Sequence, residues 1–356
     1  GMGPQYEEHS ALYDIFYHGK RPGPEPWLDF DEAAILTAID WLNSNPKGPW
    51  CLWIPLIFPH LPFEVEDPWY SMYSSGDVTS RFQGEGHGKP LFHEAIRNKL
   101  GTDRVTEDQW IEMMRVYYGM ISRVDDQLGR VMQVLDQNGE TDKTLSLFFT
   151  DHGEYAGDFG LVEKWPSGLD RCLLQNPLIM AGPGVKEGGT ATTFTEMVDI
   201  LPTLLEVAEI ETDHTHFGQS LVPALENPDI QIRDCAFSEG GFAADEIDLL
   251  ESAGGEYAKK ADLQHEQPRI VGRAISIRTS EYTYVYRLYE DDELYDLAVD
   301  PNERNNLIEE AAARPIASEL RDRILDWLLS TADVIPWSPD PRFPKIPQGQ
   351  RDEFHF

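Results

Sequence analysis

Thr144-Leu145-Ser146-Leu147-Phe148-Phe149-Thr150-Asp151-His152-Gly153-Glu154-Tyr155-Ala156-Gly157-Asp158-Phe159-Gly160-Leu161-Val162-Glu163-Lys164-Trp165 is the stretch on which the reading of the fold turns. Its first seven residues form an almost continuous apolar run, too short for a helix, which predicts a buried strand over 144–150. The strand delivers a carboxylate, an imidazole and, further round a glycine-rich loop, an ammonium onto its C-terminal end. That edge is where open α/β sheets bind ligands. Asp151 and His152 side by side suit ligation of one divalent cation, and Lys164 suits neutralising an anionic ester oxygen.

Working outward, Pro177–Ala181 predicts another strand before the turn Gly182-Pro183-Gly184. Asp199-Ile200-Leu201-Pro202 then opens a helix with its proline in the first turn, where no backbone donor is needed. Upstream, Thr106-Glu107-Asp108-Gln109 fits a capping box, and apolar residues from Trp110 to Leu135 recur at spacings of three and four until Asn138-Gly139. A shorter helix is predicted over Asp31–Asn43, capped by Asp29. Pro49–Phe58 reads as a second buried strand feeding Pro59-His60-Leu61-Pro62, which places His60 at a strand end. Residues 64–105, rich in Gly, Ser, Pro and charge, predict a long surface excursion with one short helix near His93–Leu100. Beyond about residue 230 the alternation stops. Strands are predicted at Asp234–Glu239, Ala274–Arg278 and Glu281–Leu288, with a hairpin turn at Thr279-Ser280 and a final helix at Ile316–Leu329. The expected organisation is an α/β core over 1–230, a smaller C-terminal α+β subdomain over 231–335, and an extended tail over 336–356.

With 356 residues, 41% of them hydrophobic, the chain can bury a sizeable core. Lys+Arg number 29 against 63 Asp+Glu, a net charge of −34 whose field repels nucleic acid and anionic membrane surfaces, so neither is expected as a partner. This acidic, lysine-poor composition resembles that of proteins from salty habitats. No apolar run approaches the length that crosses a bilayer. Cys51, Cys172 and Cys235 are too few and too scattered for a disulfide framework or a cysteine zinc site. Gly1-Met2-Gly3 reads as an expression scar with no secretory pattern after it, so a reducing, cytoplasmic location is the expectation.

Several blocks, in order, resemble the sulfatase family of the alkaline phosphatase-like superfamily. They are Phe58-Pro59-His60-Leu61-Pro62-Phe63, Tyr117–Leu128, Phe148-Phe149-Thr150-Asp151-His152-Gly153-Glu154 with Gly157-Asp158 and Lys164, Asn176–Ile179 with Gly182-Pro183-Gly184, Val198–Leu205, and, near the end, Ile277–Tyr282, Glu293–Leu297 and Asp300-Pro301-Asn302-Glu303. The resemblance implies an alkaline-phosphatase-like α/β/α sandwich, one divalent metal (calcium most often in the family, manganese in some relatives), and a formylglycine nucleophile made from Cys in a Cys-x-Pro-x-Arg motif. Residue by residue it implies Asp151 and His152 as metal ligands, Lys164 as a sulfate-contacting cation, and His60 as a substrate-side hydrogen bonder or leaving-group acid. A histidine ligand fits manganese or zinc more naturally than calcium. Each residue also has a plainer reading: a turn-forming Asp151, a hydrogen-bonded loop His152, a His60 packed between prolines, a solvated Lys164 beside Glu163. Phe159 stands where relatives often carry His. Glu239, His214 and His216 read as solvent-facing.

None of the three cysteines lies in a Cys-x-Pro-x-Arg motif. The expectation is therefore an N-terminally truncated fold whose first strand and nucleophile segment are missing, leaving the isolated chain without turnover. A sheet that lacks its leading strand exposes an edge that invites self-association or pairing with an N-terminal half. Three functions follow as expectations: hydrolysis of a small-molecule or saccharide sulfate ester, hydrolysis of a phosphonate monoester or phosphodiester, or a non-catalytic remnant or split half acting as an assembly module.

Overall fold

The computed structural model describes residues 10–22, 27–79, 81–212 and 214–332. The tail expected over 336–356 and the first three residues lie outside the described residues.

A helix α1 (Phe30–Asn43) begins where the Asp29 carboxylate accepts the Glu32 N–H, at 2.9 Å. The longest helix, α3 (Glu107–Gln137), starts on the capping box of Thr106 and Gln109. The first half of α3 buries Trp110, Met113, Val116 and Met120 in the main apolar cluster. Its last turns bury Val131, Val134 and Leu135 against Ile35 and Leu42 of α1. The strand expected at 144–150 is β3 (Ser146–Phe149), which pairs antiparallel with β4 (Leu178–Ala181). Both are only partly covered, so the expectation of a fully buried strand is corrected.

Two further expectations are overturned. Pro49–Phe58 is extended but forms no strand ladder, and exposure alternates along it: Trp53 and Ile57 face solvent while Leu52, Ile54 and Leu56 pack on the α1–α3 cluster. The continuous apolar run concealed this two-sided pattern. At its end the Asp31 carboxylate takes the N–H groups of Ile57 and Phe58, each at 2.8 Å. Residues 64–105 are not confined to the surface. A strand β2 (Phe63–Val65) pairs in parallel with β1 (Tyr17–Lys20), and a helix α2 (Leu91–Leu100) buries Phe92, Ile96 and Leu100, one per turn, in the main cluster. Turn-forming residues around these elements masked their apolar stripe.

The C-terminal strands β5 (Cys235–Gly240), β6 (Ala274–Thr279), β7 (Tyr282–Arg287) and β8 (Glu293–Asp296) form an antiparallel sheet in that order. The helix α6 (Arg314–Thr331) covers it through Ala317, Leu320 and Ile324. Between β5 and β6 the chain returns to the main cluster: Leu263, on the helix α5 (Ala258–Glu266), and Ile270 and Val271 all pack there.

Candidate active site

The loop that follows β3 turns sharply because Gly153 has no side chain: a Cβ there would stand 2.0 Å from the carbonyl oxygen of Cys172. Its N–H donates to Leu173 O at 2.8 Å, which ties the loop to the short helix over Arg171–Leu174. Asp151 is held at the strand end with its side chain 87% exposed, one carboxylate oxygen accepting the His152 N–H at 3.0 Å. His152 Nδ1 lies 2.8 Å from Gly153 O. A carbonyl can only accept, so Nδ1 carries a proton, and Nε2, 3.6 Å from the second Asp151 oxygen, is the ring nitrogen left for a cation. One oxygen and one nitrogen donor thus lie side by side in the form a divalent cation takes. Among the described residues no group of three or more His, Cys, Asp or Glu side chains completes such a set. The residues present therefore fit a metal as two of its ligands.

Glu154 turns back into the loop, where one of its carboxylate oxygens accepts the N–H groups of Ala156 and Glu163, and burial pushes its carboxyl up to about 7. Left-handed backbone at Ala156, Phe159 and Glu163 winds the loop so that Glu163 and Lys164 return towards His60.

His60 and Lys164, 104 residues apart, meet: Lys164 Nζ lies 3.4 Å from His60 Nε2. His60 Nδ1 donates to Leu61 O at 2.8 Å, so Nε2 accepts from the ammonium. No direct contact joins this pair to Asp151 and His152 among the described residues. Sequence reasoning missed what holds the pair. The start of α5 supplies Tyr257, whose hydroxyl donates to the same Leu61 O at 3.2 Å, and the buried Lys260, whose ammonium takes Glu163 Oε2 at 2.8 Å and Lys164 O at 2.5 Å. Burial alone would raise the Glu163 carboxyl, but the Lys260 charge outweighs it and holds it below the usual range. The polar sequence Ala258–Glu266 carries no motif that singles out Lys260. Glu256, the residue before Tyr257, is fixed by the buried His18, whose Nε2 lies 2.7 Å from its carboxylate.

Phe159 is buried against His93 and Phe82 and offers no polar group to the site. Glu239 and His214 are exposed, as expected, whereas His216 corrects its expectation: it is half-buried, with Nδ1 buried and without a hydrogen-bond partner among the described residues. The nearest cysteine to the loop, Cys172, has its thiol pushed well up by burial, the opposite of an activated nucleophile.

The Sulfatase family model matches residues 5–210. The chain is 27% identical over 332 residues to the multifunctional alkaline phosphatase superfamily protein PehA of Trinickia caryophylli, covering 86% of this chain and 61% of that protein. It is 28% identical over 330 residues to the choline-sulfatase of Rhizobium meliloti, covering 87% and 59%. Among solved structures, the phosphonate monoester hydrolase of Agrobacterium radiobacter superposes with a TM-score of 0.68 at 26% identity, over 88% of this chain and 64% of that one. The chain thus spans about three fifths of the length of the curated relatives it matches.

Proposed function

The chain belongs to the sulfatase family and shares its alkaline-phosphatase-like fold, and from that premise we propose that Asp151, His152, Lys164 and His60 form the metal- and anion-binding half of a site that hydrolyses a sulfate monoester. The observation that carries this reading is the contact of Lys164 with His60, which sets a fixed positive charge beside an imidazole of defined tautomer. Lys164 neutralises charge on a sulfuryl oxygen. His60, its Nδ1 proton tied to Leu61 O, takes a solvent proton at Nε2 and passes that proton to the ester's leaving oxygen, which returns the ring to its neutral tautomer. Asp151 and His152 would hold one divalent cation, which when bound polarises a sulfuryl oxygen; their mixed oxygen and nitrogen donors favour manganese or zinc over calcium. The nucleophile comes from polypeptide outside these 356 residues, since no cysteine here lies in the family's motif.

The test is calorimetric binding of 4-nitrophenyl sulfate in the presence of Mn²⁺. Lys164→Ala and His60→Ala should each weaken it about tenfold, as expected for loss of a charge-assisted hydrogen bond. Unchanged affinity in both variants would defeat the assignment, and turnover by the isolated chain would defeat the claim of an external nucleophile. A phosphonate monoester or phosphodiester substrate is the second reading, favoured by the likeness to the Agrobacterium radiobacter hydrolase. Comparing sulfate and phosphonate esters with the full-length gene product separates the two. A third reading, an assembly module, draws on the exposed apolar side chains of Trp53, Ile57, Ile179, Val198 and Leu201. A strictly monomeric chain by light scattering would remove its support.

A further inference from the structure

Away from Lys164 and His60, the loop residue Asp158 lines a cavity of about 470 Å³ together with Arg81, Phe82, Gln83, Asn302 and Arg304. A second cavity of about 290 Å³ shares Phe82, Asp158 and Asn302 and adds Arg171. Three arginines thus gather in one cleft of a chain with a net charge of −34. Neither Arg171 nor Arg304 has a carboxylate partner among the described residues. The guanidinium carbon of Arg304 lies over the Phe82 ring, 3.9 Å from its centroid, and among the described residues the side chain makes no hydrogen bond. The ring contact uses none of its N–H groups, the donors that bind oxyanions in bidentate fashion. Arg171 is oriented by Pro301 O at 2.9 Å, Asn302 Oδ1 at 3.5 Å and Gln175, and among the described residues its second terminal nitrogen makes no hydrogen bond. Arg81 is nine-tenths buried; its terminal nitrogens reach Gly157 O at 2.9 Å and Glu107 at 2.7 Å, while its Nε is buried without a partner. The one carboxylate lining the cleft, Asp158, is turned to the Phe82 N–H at 2.7 Å, and burial raises its carboxyl.

We propose that this cleft is a second oxyanion site, in which Arg304 and Arg171 clasp the sulfate or carboxylate group of a small molecule with the Arg81 guanidinium behind it. The guanidinium groups are already oriented, so binding orders little that is free. The surrounding acidic field opposes the approach of any anion, so the site works best where salt screens that field beyond about 8 Å, as at physiological ionic strength. Two sources share this chemistry: free inorganic sulfate, and a sulfate or carboxylate group carried on a larger organic molecule.

The experiment is calorimetric titration of the whole chain at constant ionic strength without divalent metal, using sodium sulfate, 4-nitrophenyl sulfate and benzoate in separate arms. Arg304 holds its neighbours through its backbone, its N–H donating to Asp300 and its carbonyl accepting the His87 N–H at 2.7 Å, and among the described residues its side chain touches only Phe82, so Arg304→Ala and Arg304→Glu keep the hydrogen bonds of the fold, which circular dichroism checks. Arg304→Ala should weaken sulfate about tenfold and Arg304→Glu should abolish binding, while Lys164→Ala leaves it unchanged. Sulfate tighter than 4-nitrophenyl sulfate assigns the cleft to the free ion, and the reverse to an organic ester. Equal affinity in wild type and Arg304→Glu, or no sulfate binding by the wild type, overturns the proposal. Loss on Lys164→Ala alone would place the anion at the catalytic pair instead and overturn it too. The readout is binding rather than turnover, so it stands or fails independently of which ester is hydrolysed.

Discussion

Replacing Lys260 by methionine tests the scaffolding of the His60–Lys164 pair. The ammonium is 5% exposed and lies 2.8 Å from Glu163, itself 12% exposed, while also holding the carbonyls of Val162 and Lys164. Methionine keeps most of the volume and removes the charge, which strands a carboxylate in a poorly hydrated place. Breaking one side of such a pair costs about 3–5 kcal/mol. For a chain of this size the unfolding entropy is about 0.7 kcal/mol per degree, so the melting temperature at pH 7.5 should fall by about 6 °C. The pH dependence fixes the mechanism. In the wild type the Glu163 carboxyl is held low, so its contribution is present above the unfolded value of 4.5 and is lost as pH falls through the lower folded value. In the variant only the more distant charges of Lys164 and His60 still oppose burial, the folded value rises, and the deficit must shrink as Glu163 is protonated towards pH 4.5. Differential scanning calorimetry at pH 4.5 and 7.5 measures both quantities. A deficit equal at the two pH values, or one that Glu163→Gln in the same background does not reduce, would refute the argument.

Glu154→Gln should be no more stable than wild type at pH 4.5 but more stable at pH 8 by about 3 kcal/mol. A carboxyl raised from 4.5 to about 7 loses stability as pH climbs through that window, whereas the amide keeps the accepting oxygen; thermal melts against pH decide it. His18 is raised from 6.5 because its bonds to Glu64 and Glu256 outweigh burial, so its contribution is full below pH 6.5 and fades as pH rises through the folded value. The deficit of His18→Gln in urea melts should therefore be larger at pH 6 than at pH 9. Gly153→Ala must displace the Cys172 backbone and should lower stability by about 2 kcal/mol or more, with chemical shifts of Asp151 and His152 moving in NMR spectra.

Much of this was legible in the sequence because local rules agreed with tertiary context. The capping box at Thr106, the cap at Asp29 and the three-and-four spacing from Trp110 to Leu135 are self-sufficient signals, and those helices stand where they were expected. The family resemblance gave Lys164 and His60 roles in one site, but their direct contact had no signal in the sequence. Tyr257 and Lys260 were invisible because their roles depend on where α5 docks, a long-range fact that a polar nine-residue helix does not advertise. At Pro49–Phe58 apolar content was mistaken for two-sided burial. Where both faces carry large side chains, composition cannot tell which one is covered.

The 31-residue helix over Glu107–Gln137 is about 46 Å long and belongs to two apolar clusters at once. Its amides should therefore exchange with solvent as a single block, because unzipping either end uncovers a whole cluster rather than a frayed turn. Tension applied at one cluster would be felt at the other through a continuous backbone. The β1–β2 pair and the α1 side of the molecule would then lose their protection in one concerted opening.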